Sequence, residues 1–156
     1  MLKKIVNLFP SDVLVKLYKL LPFSRLKNWL VYKSQDRFLV SVLGVITNEA
    51  GQLLLLKHTY RDEPWGIPGG WMELEKPEEG LAREIQEETG FIVEITGISQ
   101  ALFNTKPTRV DLIFKGKIVG GTFKPCTEIS DFMYCDVDNW PIGLPEVQKE
   151  LIKSQL

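Results

Sequence analysis

The chain has 156 residues, 44% hydrophobic and 25% charged, with a net charge of -1. That is the size of one ordinary domain with a core of its own, and no apolar run is long enough to span a bilayer. The charge is unevenly spread: residues 1–37 carry eight Lys or Arg against Asp12 and Asp36, a net +6, and the remainder carries 11 basic against 18 acidic residues, a net -7.

Cys126 and Cys135 form neither a C-x-x-C pair nor a disulfide framework, so they read as small core or strand residues in a reducing compartment. Asp12, Lys16 and Lys19 interrupt every candidate signal-peptide core. A cytoplasmic location is expected.

Residues 10–33 read as two helical pieces. Ser11 or Asp12 can cap the first, which carries Val13, Leu14, Leu17, Leu20 and Leu21 along one side until Pro22 breaks it. The second, residues 25–33, groups Leu26, Trp29 and Leu30. Together they form a basic amphipathic extension, residues 1–37, ahead of a main domain at 38–156. The extension is expected to pack on that domain or on a second subunit as a homodimer. Contact with an anionic membrane surface is the alternative.

Residues 38–47 are rich in branched apolar side chains, turn at residues 48–51, and are followed by a second apolar run at 52–56, which predicts two strands and a hairpin. Residues 58–64 form a polar loop, and WGIPGG at 65–70 supplies a flexible turn. Pro77, with Glu78 and Glu79 behind it, starts a helix that runs to about Thr89 and stops at Gly90. Leu81, Ala82 and Ile85 are its core side. Residues 91–95 and 97–103 are expected as strands, 104–107 as a loop, 110–119 as a strand, Gly120-Gly121 as a turn, 133–137 as a short strand and 145–155 as a closing helix. The order suits an α/β (α+β) domain with helices on both sheet faces.

Glu84, Glu87 and Glu88 stand at i, i+3 and i+4, so the helix directs three carboxylates from one face to one place. Alone they repel one another and raise their own pKa values. A hard divalent cation, Mg²⁺ or Mn²⁺, resolves this, because dense oxygen ligands suit it better than zinc. Arg83, one turn before Glu87, is placed to orient a ligand by a salt bridge, with direct phosphate contact as the rival role.

The stretch from Gly69 through Glu75, Arg83, Glu84, Ile85, Glu87, Glu88 and Gly90 to Phe91 resembles the Nudix box, G-x5-E-x7-R-E-U-x-E-E-x-G-U, where U is a bulky apolar residue. Seven fixed residue types at that spacing arise by chance on the order of once in 10⁸ starting positions at ordinary composition. In much of the family the second glycine of the Gly-Gly pair starts the count, whereas here it works from Gly69, so the loop between Gly70 and Glu75 is one residue shorter; Phe91 is also aromatic where an aliphatic is commoner. The resemblance covers residues 38–156 and implies a Nudix-type α/β/α sandwich with a mixed β-sheet.

It also implies metal-dependent hydrolysis of a phosphoanhydride. Glu87 and Glu88 are then the main ligands, Glu84 a ligand or base, and the Gly69 carbonyl a further ligand. Glu75 anchors its loop to the helix through an arginine such as Arg83. Asp131 or Glu128 stands where the family often supplies another acid. Arg61, Lys106 and Arg109 are candidates for phosphate contact, and Trp65, Trp71, Tyr60 and Phe103 for stacking a base. His58, the single histidine, reads as packed or as a strand-end residue rather than as a base.

The implied substrate is a nucleoside diphosphate linked to another moiety, such as ADP-ribose or a nucleotide sugar, or a nucleoside triphosphate; no nucleic-acid partner is expected. Pro107, sixteen residues past the box, resembles a mark of ADP-ribose pyrophosphatases. The competing reading is a silent domain of this family, kept for nucleotide sensing or protein interaction. Three retained, mutually repelling carboxylates argue against it.

Overall fold

The structure, a computed structural model, describes residues 10–137 and 139–155. The chain divides into two compact units, Met1–Arg37 and Phe38–Leu156. In the first, α1 (Ser11–Leu20) and α2 (Ser24–Ser34) are separated at Pro22, which biases Leu21 to an extended backbone with φ -66° and ψ 122°. Neither Ser11 nor Asp12 caps α1. Pro10 holds the N-cap position, and its carbonyl accepts the N–H groups of Val13 and Leu14. No residue of either helix is buried, and Leu20 and Trp29 are 78% and 50% exposed. The Lys27 ammonium lies 5.1 Å from the centre of the Tyr18 ring.

The second unit is a seven-stranded sheet built from β1 (Leu39–Thr47), β2 (Leu53–His58), β3 (Trp65–Gly66), β4 (Gly69–Trp71), β5 (Phe91–Thr105), β6 (Thr108–Gly121) and β7 (Ile129–Cys135). The main order is β3-β2-β1-β6-β5; β4 pairs with β1 and β7 with β2. Only β1 and β6 run parallel, over the whole of β1, so the sheet is mixed. β1 and β2 are paired at Thr47 and Leu53 after the residue 48–51 turn. The other end of β1, Ser41 to Leu43, is taken by β4. The strand carrying Gly69 and Gly70 is thereby set against the middle of the sheet.

Side-chain alternation gives the sheet two apolar faces. Val42, Ile46, Leu54, Leu56 and Phe114 pack against Leu81 and Ile85 of α3 (Pro77–Thr89), whereas Val45, Leu53, Leu55 and Ile113 pack against Ile152 of α4 (Glu146–Lys153). One helix on each face makes this an α/β/α sandwich. Its apolar strands have few polar positions because both of their faces are covered.

Several expected boundaries move. The two strands at 91–95 and 97–103 are one strand, β5, with register shifts at Ile95/Gly97 and Ile98/Gln100. Gly120 and Gly121 do not turn the chain: they extend β6 and pair with Ile92 and Phe91. Residues 104–107 are not an open loop either, since Thr105 pairs with Thr108 across a cis Lys106–Pro107 bond in a tight hairpin. β7 starts at Ile129, earlier than expected, and pairs with all of β2.

Candidate active site

The sequence before α3 folds as a close-packed glycine strand for steric reasons. Gly69 has φ +140°, and a Cβ there would collide with the Val42 carbonyl; a Cβ on Gly70 would collide with the Glu84 carboxylate. The helix ends as its sequence dictates, at Gly90 with φ 74° and its N–H donating to the Gln86 carbonyl.

Arg83 ties this framework together. Its Nη2 lies 2.8 Å from Glu75, and its Nη1 lies 3.0 Å from Glu84 and 3.1 Å from Glu87. Nη2 also donates to the Trp71 carbonyl at 3.4 Å. The Glu75 carboxyl is held below its ordinary range, first by the Arg83 hydrogen bond, and the Arg83 guanidinium is stabilised in its charged form by the same contact. Loop and helix are joined despite the shortened stretch between Gly70 and Glu75.

The three helix carboxylates take different positions. Glu84 and Glu88 line a cavity of about 700 Å³, together with Arg61, Trp71, Arg109 and Glu128. Glu87, 63% exposed and paired with Arg83, lines a smaller neighbouring cavity that again includes Glu84, Glu88 and Glu128. Burial, then the charges of Glu84 and Glu128, push the Glu88 carboxyl up to about 7, against an opposing hydrogen bond from the Gly69 backbone. Burial likewise raises Glu84, with Arg83 opposing it. Glu88 Oε2 is buried with no hydrogen-bond partner.

Among the described residues no three acidic, histidine or cysteine side chains stand close enough to form a ready-made metal cage. The donors nevertheless fit a hard cation. An orphaned buried carboxylate oxygen, two carboxyl groups made harder to ionise and a third acid facing them are all relieved by a positive charge among them.

Other residues are sorted by the fold. Of Glu128 and Asp131, Glu128 reaches the cavity, which Glu73 of the loop before α3 also lines. Asp131 does not: beside the irregular pairing of Lys57 and His58 with β7 it is exposed, and its Oδ1 accepts the Phe132 N–H. Trp65 also lies elsewhere, packed against the α4-side core with the Lys57 ammonium 5.8 Å from its ring centre, because β3 pairs it with β2. Trp71, half exposed, lines the cavity beside Tyr60 and Arg61. Phe103 is exposed on β5 and Lys106 on the hairpin tip, and neither lines this cavity. His58 is buried, and burial followed by the Arg61 charge lowers its pKa to about 4, so it is a neutral packed ring set edge-on to Tyr60.

Sequence reasoning missed a second cavity of about 460 Å³, with a floor of Leu43, Leu102, Ile113 and Leu151. It shares Leu43, Arg109 and Gln148 with the acid-lined cavity. Gln148 is fixed there because its Oε1 accepts the Ile67 N–H at 2.9 Å. Asp111, Ser41 and Asn104 were missed as well. A lone aspartate inside the apolar run of β6 was the available signal.

A model of the NUDIX domain matches residues 37–155. A MutT-like protein of Streptomyces ambofaciens is 41% identical over 109 residues, which are 69% of this chain and 70% of that protein. An ADP-ribose pyrophosphatase of Methanocaldococcus jannaschii is 28% identical over 113 residues, 65% of this chain and 64% of that one. Among solved structures, a NUDIX hydrolase of Nitrosomonas europaea superposes with a TM-score of 0.67 at 25% identity, over 76% of this chain and 70% of that chain. An ADP-ribose pyrophosphatase of Streptococcus suis does so with 0.63 at 22% identity, over 76% and 91%, a likeness of fold. With the box running intact from β4 through α3 to the start of β5 and a family match over residues 37–155, the chain belongs to the NUDIX family and is a nucleotide pyrophosphohydrolase.

Proposed function

We propose that this enzyme hydrolyses the anhydride of a nucleoside diphosphate linked to a second moiety, of the ADP-ribose or nucleotide-sugar kind, giving a nucleoside monophosphate and a phosphorylated product. The observation that carries this reading is the pair of adjoining cavities. One is lined by acids and arginines for a diphosphate, and the other has an apolar floor of a size for a nucleoside. The relative named ADP-ribose pyrophosphatase supports the same class, and a nucleoside triphosphate is the other substrate this arrangement accommodates.

Glu84, Glu87 and Glu88, with Glu128 facing them, would hold Mg²⁺ or Mn²⁺, which supplies charge neutralisation at the phosphates and an activated water. In the hydrolysis, the water oxygen forms a new bond to phosphorus as the bridging P–O bond breaks. The water's proton passes to a carboxylate of this cluster, and the other phosphoryl group leaves as a monoester. Arg83 fixes the cluster from behind while Arg61 neutralises phosphoryl oxygens on the cavity side. Trp71 offers an exposed ring to a planar group. A reducing cytoplasm suits the unpaired, exposed Cys126.

The test is hydrolysis of a panel of dinucleotides, nucleotide sugars, ADP-ribose and nucleoside triphosphates with Mg²⁺ or Mn²⁺, with products identified, beside Glu87→Gln. Release of a nucleoside monophosphate from a diphosphate-linked substrate, lost in the variant, is the expected result. Tight nucleotide binding with no turnover of any panel member would instead make this a sensing domain.

A further inference from the structure

Asp111 lies on β6 at the middle of the sheet, only 4% exposed, and the chemistry above makes no use of it. Three strands send donors to its carboxylate. Oδ1 accepts from the Ser41 hydroxyl on β1 and from Arg109 Nε at 2.7 Å, and Oδ2 accepts from Asn104 Nδ2 on β5 at 2.6 Å. A buried charge is costly unless fully paired, and an apolar side chain at such a position usually serves stability as well or better. The cluster therefore calls for a reason beyond packing.

The geometry of Arg109 supplies one. Asp111 engages it through Nε, and among the described residues its two terminal nitrogens donate to nothing. Its side chain is 32% exposed and lines both cavities at their shared boundary. A guanidinium tethered by Nε has a fixed plane and two parallel donors left over, the fork that matches two oxygens of one phosphoryl group.

We propose that Asp111, itself held by Ser41 and Asn104, is a positioning residue that fixes the Arg109 fork between the two cavities to bind the phosphoryl group joining the reacting anhydride to the nucleoside. This rests on the nucleotide pyrophosphohydrolase reading above. Free Arg109 would sample many rotamers; the Asp111 tether leaves one orientation, so the ordering cost of phosphate binding is already met by the fold.

Affinity of the full chain in Mg²⁺ for the tightest-bound of ADP, GDP, CDP and UDP, measured by calorimetry, is compared for wild type, Arg109→Ala, Asp111→Asn and the double variant. KM and kcat are followed on the panel nucleotide hydrolysed fastest, and thermal melting reports folding. Arg109→Ala is expected to weaken binding and raise KM about tenfold or more, with a smaller effect on kcat. Asp111→Asn reproduces most of that loss, the double variant is no worse than Arg109→Ala, and Arg109→Lys does not restore affinity. Added guanidinium ion partly rescues Arg109→Ala but not the double variant.

Melting temperatures that fall while affinity and KM stay put would make the pair a purely structural ion bridge and overturn the proposal. Additive losses in the double variant would do the same. A wild type that binds nucleotides without hydrolysing any removes the enzymatic reading, and the affinities then decide the role of Arg109 alone.

Discussion

The Arg83 guanidinium meets carboxylates on a loop and on its own helix, so its loss should misplace ligands without emptying the core. Arg83→Ala is expected to lower activity or metal affinity about 10- to 100-fold, the usual scale for residues that orient ligands, with melting little changed. Mg²⁺ titration of the steady-state rate checks it. Gly70→Ala should be as damaging, because its Cβ takes the place of the Glu84 carboxylate. His58 makes a separate prediction. Its folded pKa of about 4 lies below an unfolded value near 6.5, so the unfolded chain binds the proton first. Stability is full above pH 6.5 and declines as pH falls toward 4, by roughly 3 kcal/mol at most from this group. Urea melts across that range should show a smaller decline in His58→Phe; equal declines would mean that the ring is charged in the fold.

α3 is the element most legible in the sequence, because local chemistry marks both of its ends. Pro77 starts it, Gly90 stops it, and its two faces differ in composition. Its hold on the sheet is testable: Ile85, fully buried, should cost about 2–5 kcal/mol as Ile85→Ala in urea denaturation. Gly90→Ala should cost about 1–2 kcal/mol for the left-handed backbone, and more because the new Cβ meets the Thr122 carbonyl. The β5–β6 hairpin is less legible. The paired Gly120-Gly121 is a turn signal in sequence, yet both glycines lie in a paired strand. Register shifts absorb Gly97, and Gly121 packs so closely on the Gly90 carbonyl that no side chain fits. Strand partners, not local propensity, decide such positions.

At the scale of the molecule, the residues assigned to the site lie within Phe38–Leu156. Removing residues 1–33 is therefore expected to leave Mg²⁺-dependent turnover in place while changing solubility or association, since Leu17 and Leu20 of α1 and Trp29 and Tyr32 of α2 are exposed. Size-exclusion chromatography beside the hydrolysis assay separates the two effects, and loss of turnover on truncation would show that the helices help to build the pocket. EDTA should abolish hydrolysis and leave the melting transition, because the two hydrophobic clusters on either side of the sheet do not depend on a cation.

The sequence by itself determined the box, the helix that carries most of it, the family and the placing of Glu84, Glu87 and Glu88 along one side of that helix. All of these follow from residue types at fixed spacing along one segment. Only the tertiary structure decided that Glu128 rather than Asp131 faces those acids, that Trp65 belongs to the core, and that Asp111 on β6 meets Ser41 on β1 and Asn104 on β5. Those facts depend on strand order and register, and on which face of the sheet each alternating side chain takes. A parallel β1–β6 pair joins residues some seventy positions apart, and no local pattern carries that pairing.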